Sequence, residues 1–540
     1  MKTGKDSRNG PGPEQPSGEN FSEWFHAWRY LFAVLGLVGL VALFYAEENW
    51  RGQRAWRRYT EQMTARGENF EPSAYIPPRV ADDENFVMTP ALVSLFDFVP
   101  GTQHWRDANA PRLFQSLAAQ YEAAARLAKP KTTVSLNSWV RARTDLARWA
   151  AGLEAGTNRV DTDREPLLVT KFGTQDAAAA VLRGLADFEP VLDEFRDASR
   201  RPYSRFNIHY EEDNPAAILL PHLSKIKQFC LVLQLRASAE LGMGRSQDAL
   251  KDLDLLFYLA DTTRTEPILV SQLVRMAELQ LALQPLAEGM GQWSEPELRT
   301  LQERLQRFNF CADIEHTLEA ERTLFGSGVI EWVRRSPNKL RLVEQFERAV
   351  DTPASDLTPV GLLLAAGPDG WLFLEQRNQS RAFDQYLLPL INVTNSLIRP
   401  DAVRDANSAI DRLTQGPPVS QFLRHEFFAG LLLPSISRVA QKTAFAQTAV
   451  DTAMLACAIE RSRLIHGQPP DSLEKLSPEF IARLPHDIIN GEPLKYRILP
   501  DGHYAIYSVG WNQKDDGGSA RRTKSGDPEP REGDWVWMSF

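Results

Sequence analysis

The most distinctive feature of the hydrophobic pattern is one uninterrupted apolar run near the N-terminus. Residues 30–46, which begin with Tyr30 and end with Ala46, read YLFAVLGLVGLVALFYA, seventeen positions without a charge. A helix that crosses a bilayer needs ~20 predominantly apolar residues, with a range of about 17–25. Trp24, Trp28, Trp50 and Trp56 frame the run as an aromatic belt would, and Arg29 can snorkel at one end. A buried core helix would be less uniformly apolar. A cleaved signal peptide would need a small-residue site just beyond the run, and Tyr45-Ala46-Glu47-Glu48 offers none. The pattern therefore predicts a retained anchor over 23–50, with the lipid bilayer as its partner. Runs 360–366 and 427–433 are apolar but too short to cross.

Past the anchor, WRGQRAWRRYTEQM continues the helical pattern as a stalk, and Pro72, Pro77, Pro78, Pro90 and Pro100 then interrupt regular structure. Residues 51–106 are thus expected to be a stalk and proline-rich connector. From 107 to 440 the spacing is that of helices. Leu253, Leu256, Phe257 and Ala260 make one apolar stripe, Val270, Val274, Ala277 and Leu281 a second, and Leu298, Leu301, Leu305 and Phe308 a third. Ser294 with Glu297 three residues on signals a capping box. Residues 236–261 place Ala237, Gly244 and Ala249 as a tetratricopeptide-like helix pair would. One such unit does not make a repeat array, so an ordinary helical hairpin is the favoured reading and a repeat-like binding groove the alternative. Loop signals fall at 351–359 and 416–418.

The last hundred residues change character. A long helix is expected to end at His466, with Gly467 as its C-cap. Leu494, Tyr496 and Ile498 alternate, and Pro500-Asp501-Gly502 supplies turn chemistry, so a β-hairpin follows, with DWVWMSF as a closing strand. The fold class is therefore mainly α, with a small α+β unit over 441–540.

Composition narrows the function. The net charge is −9 and the basic runs are short, which excludes an electrostatic nucleic-acid binder. Residues 1–22, rich in Gly, Pro, Ser and charge, cannot bury a core and read as a disordered tail. Cys230, Cys311 and Cys457 lie far apart in apolar stretches and read as buried free thiols. Arg51, Arg54, Arg57 and Arg58 outnumber Arg29 beside the anchor, which by the positive-inside rule favours a cytoplasmic body; Lys2, Lys5 and Arg8 weaken that contrast.

The order HGQPPDSLEKL, LPHDIINGEPLKYRI, YAIYSVGWNQKDDGG and Asp534-Trp535 resembles the globular part of type II secretion major pseudopilins. The resemblance implies a pseudopilin-like cap, an extracytoplasmic body in the cell envelope, and a calcium site after the hairpin with Ser508, Asn512, Asp515, Asp516 and Asp534 as ligands. The same residues also read as a solvated Asp/Gly turn. The prepilin cleavage motif of that family is absent from the start of the apolar run. Stretches such as WRRYTEQMTARGENF and DTAMLACAIERSRLIHGQPPDSL resemble large anchored proteins of planctomycete and verrucomicrobial bacteria, which implies an architecture and no activity.

No HExxH pair, phosphate loop, nucleophile elbow or dinucleotide fingerprint occurs, so no catalytic residue and no resident cofactor is predicted. Two clusters could carry chemistry. Arg201, Tyr203, Arg205, His209, Tyr210 and His222 suit an anionic ligand, or a loop whose arginines satisfy buried carbonyls. Asp313, Glu315, His316, Glu319 and Glu321 share a helical stretch, as half of a metal site or as a solvated face. The sequence thus favours a non-enzymatic, membrane-anchored scaffold with an unidentified protein partner. The rival is a membrane-bound enzyme with an inter-helix site around residues 201–222 or 313–321.

Overall fold

The computed structural model describes residues 19–99, 104–107, 112–128, 138–140, 143–157, 173–212, 214–339, 342, 354–524 and 528–539. The expected disordered tail falls outside the described residues as far as residue 18, and Glu19 begins the first helix.

The protein is mainly helical. One-turn elements aside, the helices are α1 (Glu19–Thr64), α2 (Arg112–Ala128), α3 (Leu146–Thr157), α4 (Thr174–Gly184), α5 (Glu189–Ala198), α6 (Pro221–Gly242), α7 (Ser246–Asp261), α8 (Leu269–Glu288), α9 (Glu295–Leu305) and α10 (Phe310–Ala320). A π-helical turn, Glu321–Ser327, joins α10 to α11 (Gly328–Arg335). There follow α12 (Ala354–Ala366), α13 (Gly370–Tyr386), α14 (Pro400–Leu413), α15 (Pro418–Leu423), α16 (Phe427–Ile436) and α17 (Val439–His466).

α1 runs 46 residues without a break. Its apolar part from Trp28 onward is long and apolar enough to span a membrane and is uncovered by the rest of the chain. Beyond Glu48 the same helix packs along α13. A second stretch, Pro215–Gly242, also meets the length and composition of a span. It contains α6, which sits in the core against α7 and α8.

The proline-rich stretch forms short turns and packs on the body through Phe86, Leu92, Leu95 and Phe96, all nearly inaccessible. Phe86 meets Phe195 and Tyr258, so burying aromatic area, rather than regular hydrogen bonding, holds this segment. The expected loop at 351–359 is helical from Ala354.

The alanine-rich α17 is the hub. It lies against α8, α9 and α10 on one side and the C-terminal sheet on the other. Small side chains let these neighbours approach closely, and Ala444, Ala449, Val450, Ala453, Cys457 and Ile459 are inaccessible. It stops where expected, at Gly467, whose φ of 82° lies in the left-handed region. Ser294 and Glu297 cap α9, with the Ser294 N–H donating to Glu297 Oε2 at 2.7 Å.

The sheet is antiparallel in the order β1 (Lys495–Ile498), β2 (Tyr504–Ser508), β5 (Trp535–Met538). Lys495 pairs with Tyr507 and Ile506 with Trp537. β3 (Ala520–Arg522) and β4 (Pro528–Gly533) form a separate pair. The outer edge of β5 is closed by Ser138, whose N–H donates to Val536 O at 3.0 Å. One core runs from Phe86 to Trp537 and unites body and sheet. A second, smaller core of Ile330, Val333, Val360, Leu364, Leu372, Phe422, Phe427 and Phe428 lies apart from it.

Candidate functional site

The arginine-rich loop serves the fold. The Arg201 guanidinium donates to Asn85 O at 2.8 Å and Arg205 Nε to Pro77 O at 2.9 Å. The Asn85 side chain bonds both ways with the backbone of Arg205. His209 lies 4.5 Å from the Phe98 ring. These groups hold the 77–98 segment on the body, and an anion is not needed to satisfy them.

His222 is separate from that surface. It is fully buried, stacked on Phe206 at 4.1 Å, with its Nε2 2.8 Å from Oε1 of buried Glu266. On α8, Glu278 is also inaccessible, and its carboxyl is pushed well above the usual carboxylate range, first by burial and then by Glu266. Phe96 and Phe206 pack against the imidazole, which is fully buried.

Asp313 binds Arg275 at 2.8 Å and Arg264 at 3.2 Å, while Glu315 and His316 face solvent. Arg275 is fully buried between Asp261 and Asp313 and lies over the Phe308 and Phe310 rings. Glu321 accepts the Leu269 N–H at 3.3 Å, and burial pushes its carboxyl up to about 7. These are joints between α7, α8 and α10. Among the described residues, no three His, Cys, Asp or Glu side chains converge as a metal site.

The five residues of the acidic turn are not drawn to one point. Ser508 is buried and donates to Asp487 Oδ1 at 2.8 Å. The Asp534 carboxylate accepts the N–H groups of Asp516 at 3.1 Å, Gly518 at 2.6 Å and Ser519 at 3.3 Å. Asn512 donates to Asp516, and Asp515 accepts from the Gly517 N–H. Gly517 and Gly518 have φ of 70° and 72°, which lets the N–H groups of Asp516, Gly518 and Ser519 point inward at one anion while that of Gly517 turns to Asp515. Asp534 is that anion.

A further set of side-chain bonds lies where α1 leaves its apolar part. Asn49 Oδ1 accepts the Gly370 N–H at 2.7 Å, and Glu48 accepts the Trp371 indole N–H at 3.1 Å. The Tyr45 hydroxyl donates to Ala366 O. Further along, Tyr59 donates to Asp384, and Asp384 and Glu68 both bind the buried Arg322. Arg322 also lies 4.4 Å over the Phe70 ring. Sequence reading missed Arg322, Arg275, Glu278 and Glu375, whose partners lie far off in the chain. The usable signal was a polar residue at helical spacing inside an apolar helix, as in Gln272, Arg275 and Glu278. The chain matches no protein family, no curated protein and no solved structure.

Proposed function

We propose that the protein is a non-enzymatic, single-pass envelope scaffold whose helical body is fixed rigidly to its membrane helix. The observation that carries this reading is the continuity of α1. One helix includes the apolar stretch and then forms side-chain bonds from Glu48, Asn49 and Tyr59 to α13. A signal sequence is discarded, whereas these bonds give the exit of the helix a structural role. Asp313 and Asp261 pair with Arg275 across α7, α8 and α10, which supports a structural role for that cluster. The pseudopilin resemblance favours a body outside the cytoplasm, against the arginines that follow the apolar run.

The test is made on the full chain with an N-terminal epitope tag and a reporter after Phe540. Retention of the tag and resistance to carbonate extraction support the anchor; loss of the tag with a soluble body overturns it. An active phosphatase reporter supports an envelope-side body. A fluorescent, phosphatase-silent fusion places it in the cytoplasm and ends the secretion analogy.

A further inference from the structure

The end of the body nearest the apolar helix can be identified from contacts alone. Phe44 lies 6.4 Å edge-on from Trp371, and Tyr45 bonds Ala366. Residues 366–371 therefore stand level with the end of the apolar run. From there α13 departs alongside α1, since Gly370 meets Gly52 and Asp384 meets Tyr59. The π-turn and α11 return in the opposite direction. Arg322 meets Asp384, Ser327 meets Ser380 at 3.0 Å, and Arg334 lies over Phe373 at 4.9 Å. The C-terminal end of α11 thus stands at the same level, and Lys339 bonds Asp369 there at 2.8 Å.

This level has a distinct chemistry. A cavity of about 310 Å³ is lined by Arg334, Ser336, Pro337, Asn338, Lys339 and Ala365. Among the described residues, three cations, Arg334, Arg335 and Lys339, share two carboxylates, Glu331 and Asp369. Leu362, on the helix that ends at Ala366, is 56% exposed, and Leu423, next to Phe422 against Trp371, is 54% exposed. Trp50 is 59% exposed on α1. Exposed leucine and tryptophan beside this group of cations suit the headgroup layer of a bilayer.

Building on the reading that α1 spans a membrane, we propose that this end of the body is a phospholipid-binding surface. α12 lies in the headgroup layer with Leu362 among acyl chains, and the cavity takes a lipid phosphate against Lys339, Arg334, Ser336 and Asn338. Continuity with the span decides the occupant. If Tyr45 and Phe44 lie at the edge of the hydrocarbon, the residues bonded to them meet headgroups and nothing else.

The test uses the full chain carrying Leu362→Cys with a polarity-sensitive fluorophore; the three native cysteines are buried. It is reconstituted in phosphatidylcholine vesicles with and without phosphatidylglycerol, and nitroxide lipids serve as depth-graded quenchers. A Leu37→Cys label reports the span. The proposal expects deep quenching at Leu37 and shallow quenching at Leu362. Quenching at Leu37 alone overturns the surface and leaves the anchor standing, whereas quenching at neither overturns the anchor. Phosphatidylglycerol should strengthen the Leu362 response. Lys339→Gln and Arg335→Gln should weaken that lipid dependence about fivefold for each charge removed. A response independent of phosphatidylglycerol overturns the headgroup assignment. So does its reproduction by inorganic phosphate in pure phosphatidylcholine, which would make the cavity a free-phosphate site.

Discussion

Gly52 of α1 and Gly370 of α13 cross with their backbones in contact: a Cβ on Gly52 would sit 2.0 Å from Gly370 O. A Cβ on Gly370 would meet Glu48 O at the same distance. Gly36 and Gly39, within the apolar run, meet nothing within 4 Å. The close crossing belongs to the docked half of α1 alone, and it brings Asn49 within reach of the first N–H of α13. That bond ties the direction of the membrane helix to the direction of the body.

Gly52→Ala should therefore separate the two helices. The obstacle is backbone, which cannot swing aside, so a loss of about 1–3 kcal/mol is expected. Thermal unfolding in detergent should show a lower midpoint, while Gly36→Ala should leave it unchanged. Equal midpoints for both variants would mean that α1 does not dock as described.

Arg322→Met should be more damaging. It removes the cation between Glu68 and Asp384 and leaves both carboxylates facing each other near Tyr59. Breaking a buried pair from one side costs about 3–5 kcal/mol. Urea unfolding followed by tryptophan fluorescence should show this, and trypsin should cut faster at the exposed Arg57 and Arg58 as that part of α1 loosens. The double variant Arg322→Met with Asp384→Leu should recover part of the loss, because one of the stranded charges is then gone.

These joints mark the limit of what the sequence disclosed. The stripes through Leu253 and Leu298 are buried as their spacing implied. The stripe through Val270 forms a helix but is only partly covered, with Val274, Ala277 and Leu281 half-buried. Val270 is 53% exposed, whereas Ser271, Gln272, Arg275 and Glu278 are inaccessible. Periodicity assumes that polar residues seek water. Arg275 is inside because Asp261 and Asp313, supplied by two other helices, pair with it, and no local pattern announces partners that distant. Strands β1, β2 and β5 were legible because alternation and turn chemistry are local, whereas the β3–β4 pair, over Ala520–Arg522 and Pro528–Gly533, was not anticipated. The runs 360–366 and 427–433, too short to cross a membrane, instead build the second core beside the exit of α1.

Asp534→Asn should destabilise the C-terminal sheet by about 1.5–3 kcal/mol, the scale of hydrogen bonds to a charged group. The three N–H groups it accepts would keep an oxygen partner but lose the charge. Calcium addition should leave the melting midpoint of the wild type unchanged, and chelator should not lower it. A calcium-dependent rise would show that the cation displaces these backbone bonds and gathers Asn512, Asp515 and Asp516 instead.

Glu375 predicts the pH dependence of the second core. Its carboxylate accepts the N–H groups of Phe427 at 3.2 Å and Phe428 at 3.1 Å, at the start of α16. Burial nevertheless pushes it up to about 8, since two N–H bonds do not replace the lost hydration. The folded protein thus holds the proton more tightly than the unfolded chain, in which a glutamate titrates near ~4.3. The stabilisation is complete below that value and is lost as pH rises through about 8. His425 acts in the opposite sense. Burial, then Arg51 and Arg377, lowers it to about 4, so its contribution is lost as pH falls below the ordinary histidine value of ~6.5. Above that value Glu375 dominates this pair. The melting midpoint should fall between about pH 6.5 and 8.5, and Glu375→Gln, which cannot ionise, should flatten the fall. If the variant retains the full slope, the proton is held elsewhere in the core.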